Sequence, residues 1–305
     1  MHLNQAGENR EPERAYIVEE AEKLEWMMLE GRPSRTAMGA ALYRAAHQMM
    51  DKPPVFADPL AIRVVGAEGE AALREATDSQ RGAQSAPLRA FIAVRSRFAE
   101  DRLMEAAAHG VRQYVLLGAG LDTFAYRAKD RFAGTVFEID HPATQAWKRA
   151  MLEGAGIAVP RNVVFAPIDF ESERLEDALA RAGFDRTAPA FFAWLGVVPY
   201  LTHEAVMATL AFVAATEGNE IVFEYVEPET AWDSPGLSRL AQAVAAAGEP
   251  LRSGFAPEVL AKDMRALGFS RVDDLEREAL NGLYFKDRTD GLQLRGRAHL
   301  IHARV

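Results

Sequence analysis

The chain has 305 residues, 49% hydrophobic and 26% charged, with a formal net charge of −9. This is globular composition, not the polar profile of disorder, and its acidic balance with scattered arginines leaves no broad cationic field for nucleic acid. The absence of cysteine removes disulfides, thiolate metal sites and cysteine nucleophiles and fits a cytoplasmic protein, and no apolar run approaches the ~20 residues of a bilayer span, so no membrane is expected as a partner.

The amino end, MHLNQAGENREPERAY, is charged and lacks an apolar core, so it reads as a tail and not as a secretory signal. Tyr16 to Leu29 places Ile17, Ala21, Leu24, Met27 and Met28 on one face at helical spacing. Ser34 is positioned to cap a second helix, in which Met38, Ala41, Leu42, Ala45 and Met49 form a face of small and flexible residues. The proline pair in DKPPVFADP (51–59) ends it. A long helix is predicted from Pro87 to Ala108, stopped at His109-Gly110.

Apolar strands then alternate with helices. The strands are predicted at 112–118, 134–140, 162–168, 190–195 and 220–226, with helices at 142–153, 174–182 and 203–216. Strands apolar on both faces and separated by helices predict a mostly parallel sheet covered on both sides. A helix over 256–267, a strand over 269–275 and a last strand over 298–305 suit an antiparallel pair at the sheet edge. Residues 228–254, with an Ala-rich helix over 237–247, form a long excursion suited to a lid.

Gly118-Ala119-Gly120-Leu121-Asp122-Thr123 directly follows the first strand. Gly-x-Gly there permits a sharp turn and a close approach of backbone to ligand. In a dinucleotide enzyme a third glycine would stand where Thr123 does. Asp122 would repel a pyrophosphate but suits the amino group of a methionine moiety, which points to S-adenosylmethionine (SAM). A ligand-free strand-to-helix turn is the plainer alternative.

Asp140 ends the second strand, where an acid accepts from both ribose hydroxyls, or else caps the helix that begins at Pro142. Asp169-Phe170 ends the third, where the acid can accept from an adenine amino group and the ring can cover the base; a solvated loop acid is the alternative. Arg95, in Arg95-Ser-Arg97-Phe98, has the forked donors to hold an amino-acid carboxylate, although a solvent-facing arginine is the commoner fate.

Together these residues resemble the leucine carboxyl methyltransferase-like group of class I SAM-dependent methyltransferases, and within it a bacterial branch of O-methyltransferases. The run RSRF…YVLLGAGLDTFAYR…VFEIDHP…PIDF…WLGVVPYLTHEAV…VFEYVEP carries the resemblance, from about Ser34 to the end. The resemblance implies a Rossmann-like α/β fold with a seven-stranded sheet, a helical cap over 1–110 and a SAM-binding core over 111–305. It also implies that Arg95, assisted by Arg44, holds the SAM carboxylate. Gly118 to Gly120 would lie beneath the methionine, Asp140 on ribose and Asp169-Phe170 on adenine. Many relatives have Glu where this chain has Leu195, so a side-chain contact to the cofactor made there is absent or replaced, by backbone or by packing from Trp194.

A carboxylate acceptor would need no general base, whereas a phenol or alcohol usually would. Tyr200, Glu224 and Tyr225 lie near the ends of strands four and five and are acceptor-side candidates, with core or rim packing the alternative. His141 and His203 read as caps or exposed residues. No metal site is expected: His203-Glu204 lacks a second histidine four residues on, and His299 and His302 point to opposite faces of a strand. The expected partner is a small molecule. The alternatives are a NAD-dependent oxidoreductase on a similar fold and a SAM-binding module without catalysis.

Overall fold

The alternation of apolar strands with helices is realised as a seven-stranded sheet. The structure, a computed structural model, describes residues 35–77, 85–128, 130–169, 173–228 and 251–305. The expected tail, the helix over Tyr16–Leu29, the Ser34 cap, Phe170 and the helix over 237–247 lie outside the described residues. Five strands are parallel: β1 (Gln113–Leu117), β2 (Thr135–Asp140), β3 (Val163–Pro167), β4 (Ala190–Trp194) and β5 (Glu220–Val226). β6 (Arg271–Leu275) and β7 (Ala298–Arg304) complete the order β3-β2-β1-β4-β5-β7-β6, with β7 antiparallel to both its neighbours. The predicted antiparallel edge is present, with the last strand inserted inside β6.

The chain leaves β1 toward β2 and β3, then returns to the other side of β1 as β4. That reversal opens a crevice at the carboxyl ends of β1 and β4, the place where open α/β sheets bind ligands. Alternate strand residues serve opposite faces. Tyr114, Leu116, Phe191 and Val222 join Ala41 and Ala45 of α1 (Arg35–Met50) and Val94, Phe98 and Leu103 of α4 (Ala86–Ala108) in one cluster. Val115, Leu117, Phe192 and Phe223 join Val206, Leu210 and Leu260 in the other. The amino-terminal helices therefore share a core with the sheet, and α4 lies across β4 and β5. Two short helices that the periodicity did not reveal, α2 (Ala61–Val64) and α3 (Gly66–Thr77), lie between α1 and α4.

The segment after α1 is pinned by buried charge. Arg89 on α4 donates to both oxygens of Asp51, at 2.6 and 2.9 Å, and His47 Nδ1 lies 2.7 Å from the same carboxylate. His47 Nε2 accepts from the N–H groups of Val55 and Phe56, so the imidazole proton sits on Nδ1 and is donated to Asp51. Asp58 accepts from Arg44 Nε (3.3 Å) and from the Thr123 hydroxyl (2.7 Å). Thr123 in turn accepts from Arg127 Nε, and Arg127 pairs with Glu100 of α4 while stacking 4.7 Å from the centre of the Phe56 ring. The residue that stands where a third glycine was sought is thus a buried link between the cap and the glycine turn.

Two outcomes follow from this network. Thr123→Val removes a hydroxyl between buried ions and should cost about 1–3 kcal/mol, read as a lower urea midpoint with an unchanged slope. Asp51 has its carboxyl held down to about 2 by Arg89 and His47, against the opposing effect of burial. A depressed carboxylate stabilises the fold above its unfolded value of 3.8, and this contribution disappears as pH falls toward 2. Asp51→Asn should therefore melt below wild type at pH 6, with the gap narrowing steadily in melts from pH 5 to pH 3.

Candidate cofactor site

The turn after β1 takes its shape from β2. The N–H groups of Gly118 and Ala119 both donate to the Ile139 carbonyl, at 2.9 and 3.0 Å, and that of Gly120 donates to Asp140 Oδ2 at 2.6 Å. The Asp122 N–H closes back on the Ala119 carbonyl, and the Asp122 carboxylate accepts from the Phe124 N–H. The following helix, α5 (Phe124–Arg127), has only four residues. A pyrophosphate needs free N–H groups and a helix amino terminus. This turn uses the three consecutive N–H groups internally and places two carboxylates beside them. It suits a ligand that brings donors and positive charge.

Both glycines are at positive φ, 69° at Gly118 and 44° at Gly120. A Cβ on Gly118 would lie 2.4 Å from a methyl of Val197, and one on Gly120 would lie 2.9 Å from the Ala37 Cβ. At both glycines the space a Cβ would take is occupied by protein. They make room for Val197 beyond β4 and for α1, two protein segments that wall the crevice.

Asp140 does not cap the next helix; His141 does, accepting from the Ala143 N–H. Asp140 Oδ1 accepts from the His141 N–H at 2.7 Å. The Thr144 hydroxyl also bonds this carboxylate, so Asp140 is held at the strand end by three donors of the chain. Burial raises its carboxyl above the ordinary value, with the Gly120 and His141 N–H groups acting in opposition. Asp169 lies half-buried just beyond β3.

Arg95, on α4, faces the crevice and not solvent. Its Nη1 donates to Glu224 Oε1 at 2.6 Å, and Glu224 also accepts from the Gly196 N–H. Arg44 is buried farther back, where Nη2 donates to the Leu121 carbonyl and Nε to Asp58, so it braces the turn from α1. Tyr200 is half-buried in the 3-10 turn Val198–Tyr200, and the carbonyls of Val198 and Pro199 accept from Ser253 and Arg252. The end of the 228–254 excursion is thereby fastened beside the crevice.

Tyr225 does not face the crevice. Neighbouring strand residues point to opposite faces, and with Glu224 on the crevice side Tyr225 enters the opposite core. It stacks on His299 at 4.8 Å and donates to Asp274 Oδ2 at 2.5 Å; burial and Asp274 raise its phenol well above the ordinary value. Trp194 likewise packs in that core, 6.2 Å from Phe223.

Sequence reasoning passed over a buried pair beneath the turn. Glu138 on β2 lies 2.8 Å from Lys148 Nζ of α6 (Pro142–Gly154), with the Tyr126 ring 5.3 Å from that ammonium. Burial pushes the Glu138 carboxyl up, while Lys148 pulls it down. The signal was an acid in the middle of an apolar strand, VFEID. Glu100 and Arg127 gave no such signal, because their partners are distant in sequence. Among the described residues no helix is long and apolar enough to cross a membrane, and no group of three or more His, Asp or Glu is placed to hold a metal.

The leucine carboxyl methyltransferase family model matches residues 37–214. YktD of Bacillus subtilis, provisionally named an S-adenosyl-L-methionine-dependent methyltransferase, is 35% identical over 216 residues, 68% of this chain and 70% of that protein. A similarly named protein of Mycobacteroides abscessus is 36% identical over 167 residues, and the chain spans 55% of its length. A Thermobifida fusca structure titled as a provisional methyltransferase superposes with a TM-score of 0.52 at 17% identity, over 90% of this chain and 95% of that one, and shows the same fold. The turn without a phosphate cradle, the acids ending successive strands and these matches agree: the chain belongs to the leucine carboxyl methyltransferase family and is a SAM-dependent methyltransferase.

Proposed function

We propose that this enzyme transfers the methyl group to an oxygen of a small-molecule acceptor, and that the acceptor oxygen is a carboxylate. The observation that supports this reading is the state of the titratable groups at the carboxyl edge of the sheet. Tyr225 is turned away into the opposite core, where it donates to Asp274, His141 caps a helix, and Asp140 and Asp122 accept from backbone N–H groups. Glu224 is bound to Arg95. A carboxylate is already ionised at neutral pH and attacks without a base, so a site of this kind is sufficient for it.

When bound, SAM supplies a sulfonium methyl, the electrophile of an in-line displacement. The chain contributes alignment and exclusion of water. Asp140 is the acceptor for the ribose diol, Asp169 for the adenine amino group, and Arg95 the donor to the carboxylate of the methionine moiety. Val197 and α1 close two walls of the crevice, and the fastened end of the 228–254 segment sets a third beside Tyr200.

Asp140→Asn keeps the shape of the clasp but presents an amide to donors, and should weaken SAM binding by about 1.5–3 kcal/mol in calorimetric titration. The same titration of wild type with NAD should give no heat; a NAD signal without a SAM signal would overturn the assignment. With methyl-labelled SAM and a metabolite extract, the labelled product should release methanol in mild alkali, as a methyl ester does. An alkali-stable product would identify a phenol or alcohol acceptor and sink the carboxylate reading.

A further inference from the structure

Glu224 is only 3% exposed, and one of its two oxygens is unaccounted for. Oε1 takes both the Arg95 guanidinium and the Gly196 N–H, whereas Oε2 is buried with no hydrogen-bond partner among the described residues. A desolvated carboxylate oxygen without a donor is costly, and such atoms are rare in folded proteins unless something supplies the donor.

Its position says what kind of donor is missing. The parallel β4–β5 register ends at Trp194↔Phe223, and its next step sets Glu224 beside Leu195 at the carboxyl edge. Gly196 and Val197 follow immediately, and Val197 occupies the space beside Gly118. Glu224 therefore stands on β5, one strand beyond the reversal between β1 and β4, and the Gly196 N–H that it accepts directly precedes the Val197 that packs on the glycine turn. Arg95 has no other hydrogen-bond partner among the described residues, and its Nη2 would lie 3.0 Å from a Cβ on Gly196, so the glycine is what lets the guanidinium reach this place. One buried anion and one buried cation thus stand side by side, with an acceptor vacant on the first and donors vacant on the second. The complement of this pair is a group that brings a donor and an acceptor together. An α-amino acid zwitterion satisfies both.

We propose that Glu224 receives the α-ammonium of the methionine moiety of SAM, while Arg95, held in place by the same carboxylate, receives the α-carboxylate. The inference rests on the reading that this chain binds SAM. It moves Glu224 from the acceptor side of the reaction to the donor side, and it assigns the amino-acid end of the cofactor to β5 and α4 together. Recognition is then paired: the group that reads the ammonium also orients the group that reads the carboxylate.

The test compares S-adenosylhomocysteine with 5′-methylthioadenosine, which keeps adenine, ribose and sulfur but has no amino acid. By calorimetry, Glu224→Gln should bind S-adenosylhomocysteine about tenfold or more weakly than wild type and bind 5′-methylthioadenosine as wild type does. Independently of any variant, wild type should bind N-acetyl-S-adenosylhomocysteine, which lacks the ammonium, about tenfold or more weakly than the parent. This arm remains informative if Glu224→Gln fails to fold. Unchanged affinity for S-adenosylhomocysteine, or equal losses for both ligands, would overturn the assignment of Glu224 while leaving SAM binding intact. Unchanged affinity with a lowered kcat would return Glu224 to the acceptor side. Wild type that binds neither S-adenosylhomocysteine nor 5′-methylthioadenosine would overturn the SAM reading itself.

Discussion

The buried Asp58 carboxylate joins the two parts of the molecule that must meet for a cofactor crevice to exist. It accepts from Arg44 of α1 and from Thr123 of the glycine turn, and Arg127 links that threonine to Glu100 of α4. Every member is largely withdrawn from water, so each depends on the others for its hydrogen bonds. Removing the charged partner of a buried ion, as in the Arg127–Glu100 pair, costs about 3–5 kcal/mol, more than the loss of the neutral Thr123 hydroxyl. The network therefore fixes α1 against the turn, and with it the Ala37 contact that closes the crevice above Gly120.

The same economy of hydrogen bonds determines which ligand the turn can receive. Dinucleotide turns and this one begin with a similar strand and a similar Gly-x-Gly. The difference lies in where the N–H groups go. Ile139 and Asp140 take them here, so the turn offers no cradle for phosphate. The carboxyl edge carries the carboxylates of Asp122, Asp140, Asp169 and Glu224, with the Arg95 guanidinium against the last. An adenosyl sulfonium amino acid brings donors and positive charge, and that is the complement of this edge. The strand order carries the fold; the choice between a phosphate ligand and a cationic one lies in where the backbone N–H groups of the turn are used.

Much of this was legible in the chain. Strand and helix positions agree with the predicted ones to within a few residues, because runs such as YVLL and AFFAW are apolar on both faces and need helices above and below. Asp140 and Asp169 stand out in the sequence because a strand end is a defined place in such a fold, and the structure sets them at the carboxyl ends of β2 and β3. Arg95 was found for the residue type but not for its partner. Tyr225 reads from the sequence as an acceptor-side candidate with core packing as the alternative, and the structure packs it in the core, because successive strand residues serve opposite faces. The glycines were identified correctly as necessary, but the Cβ space they vacate belongs to Val197 and Ala37.

The sequence by itself determined the periodicities, the turn and the order of acids along the strands, since each depends on residues within a few positions of one another. From these the fold class and the methyl donor could be read. The tertiary structure alone decided the pairings across long separations: Asp58 with Thr123, Arg127 with Glu100, and Arg95 with Glu224, the last joining residues 129 positions apart. Such pairs leave no periodic trace, because burial of a charge is decided by which distant segment supplies its counter-charge. The unpartnered oxygen of Glu224 belongs to the same class of fact. Only a folded chain can show that a carboxylate is buried and that one of its oxygens has no donor among the described residues.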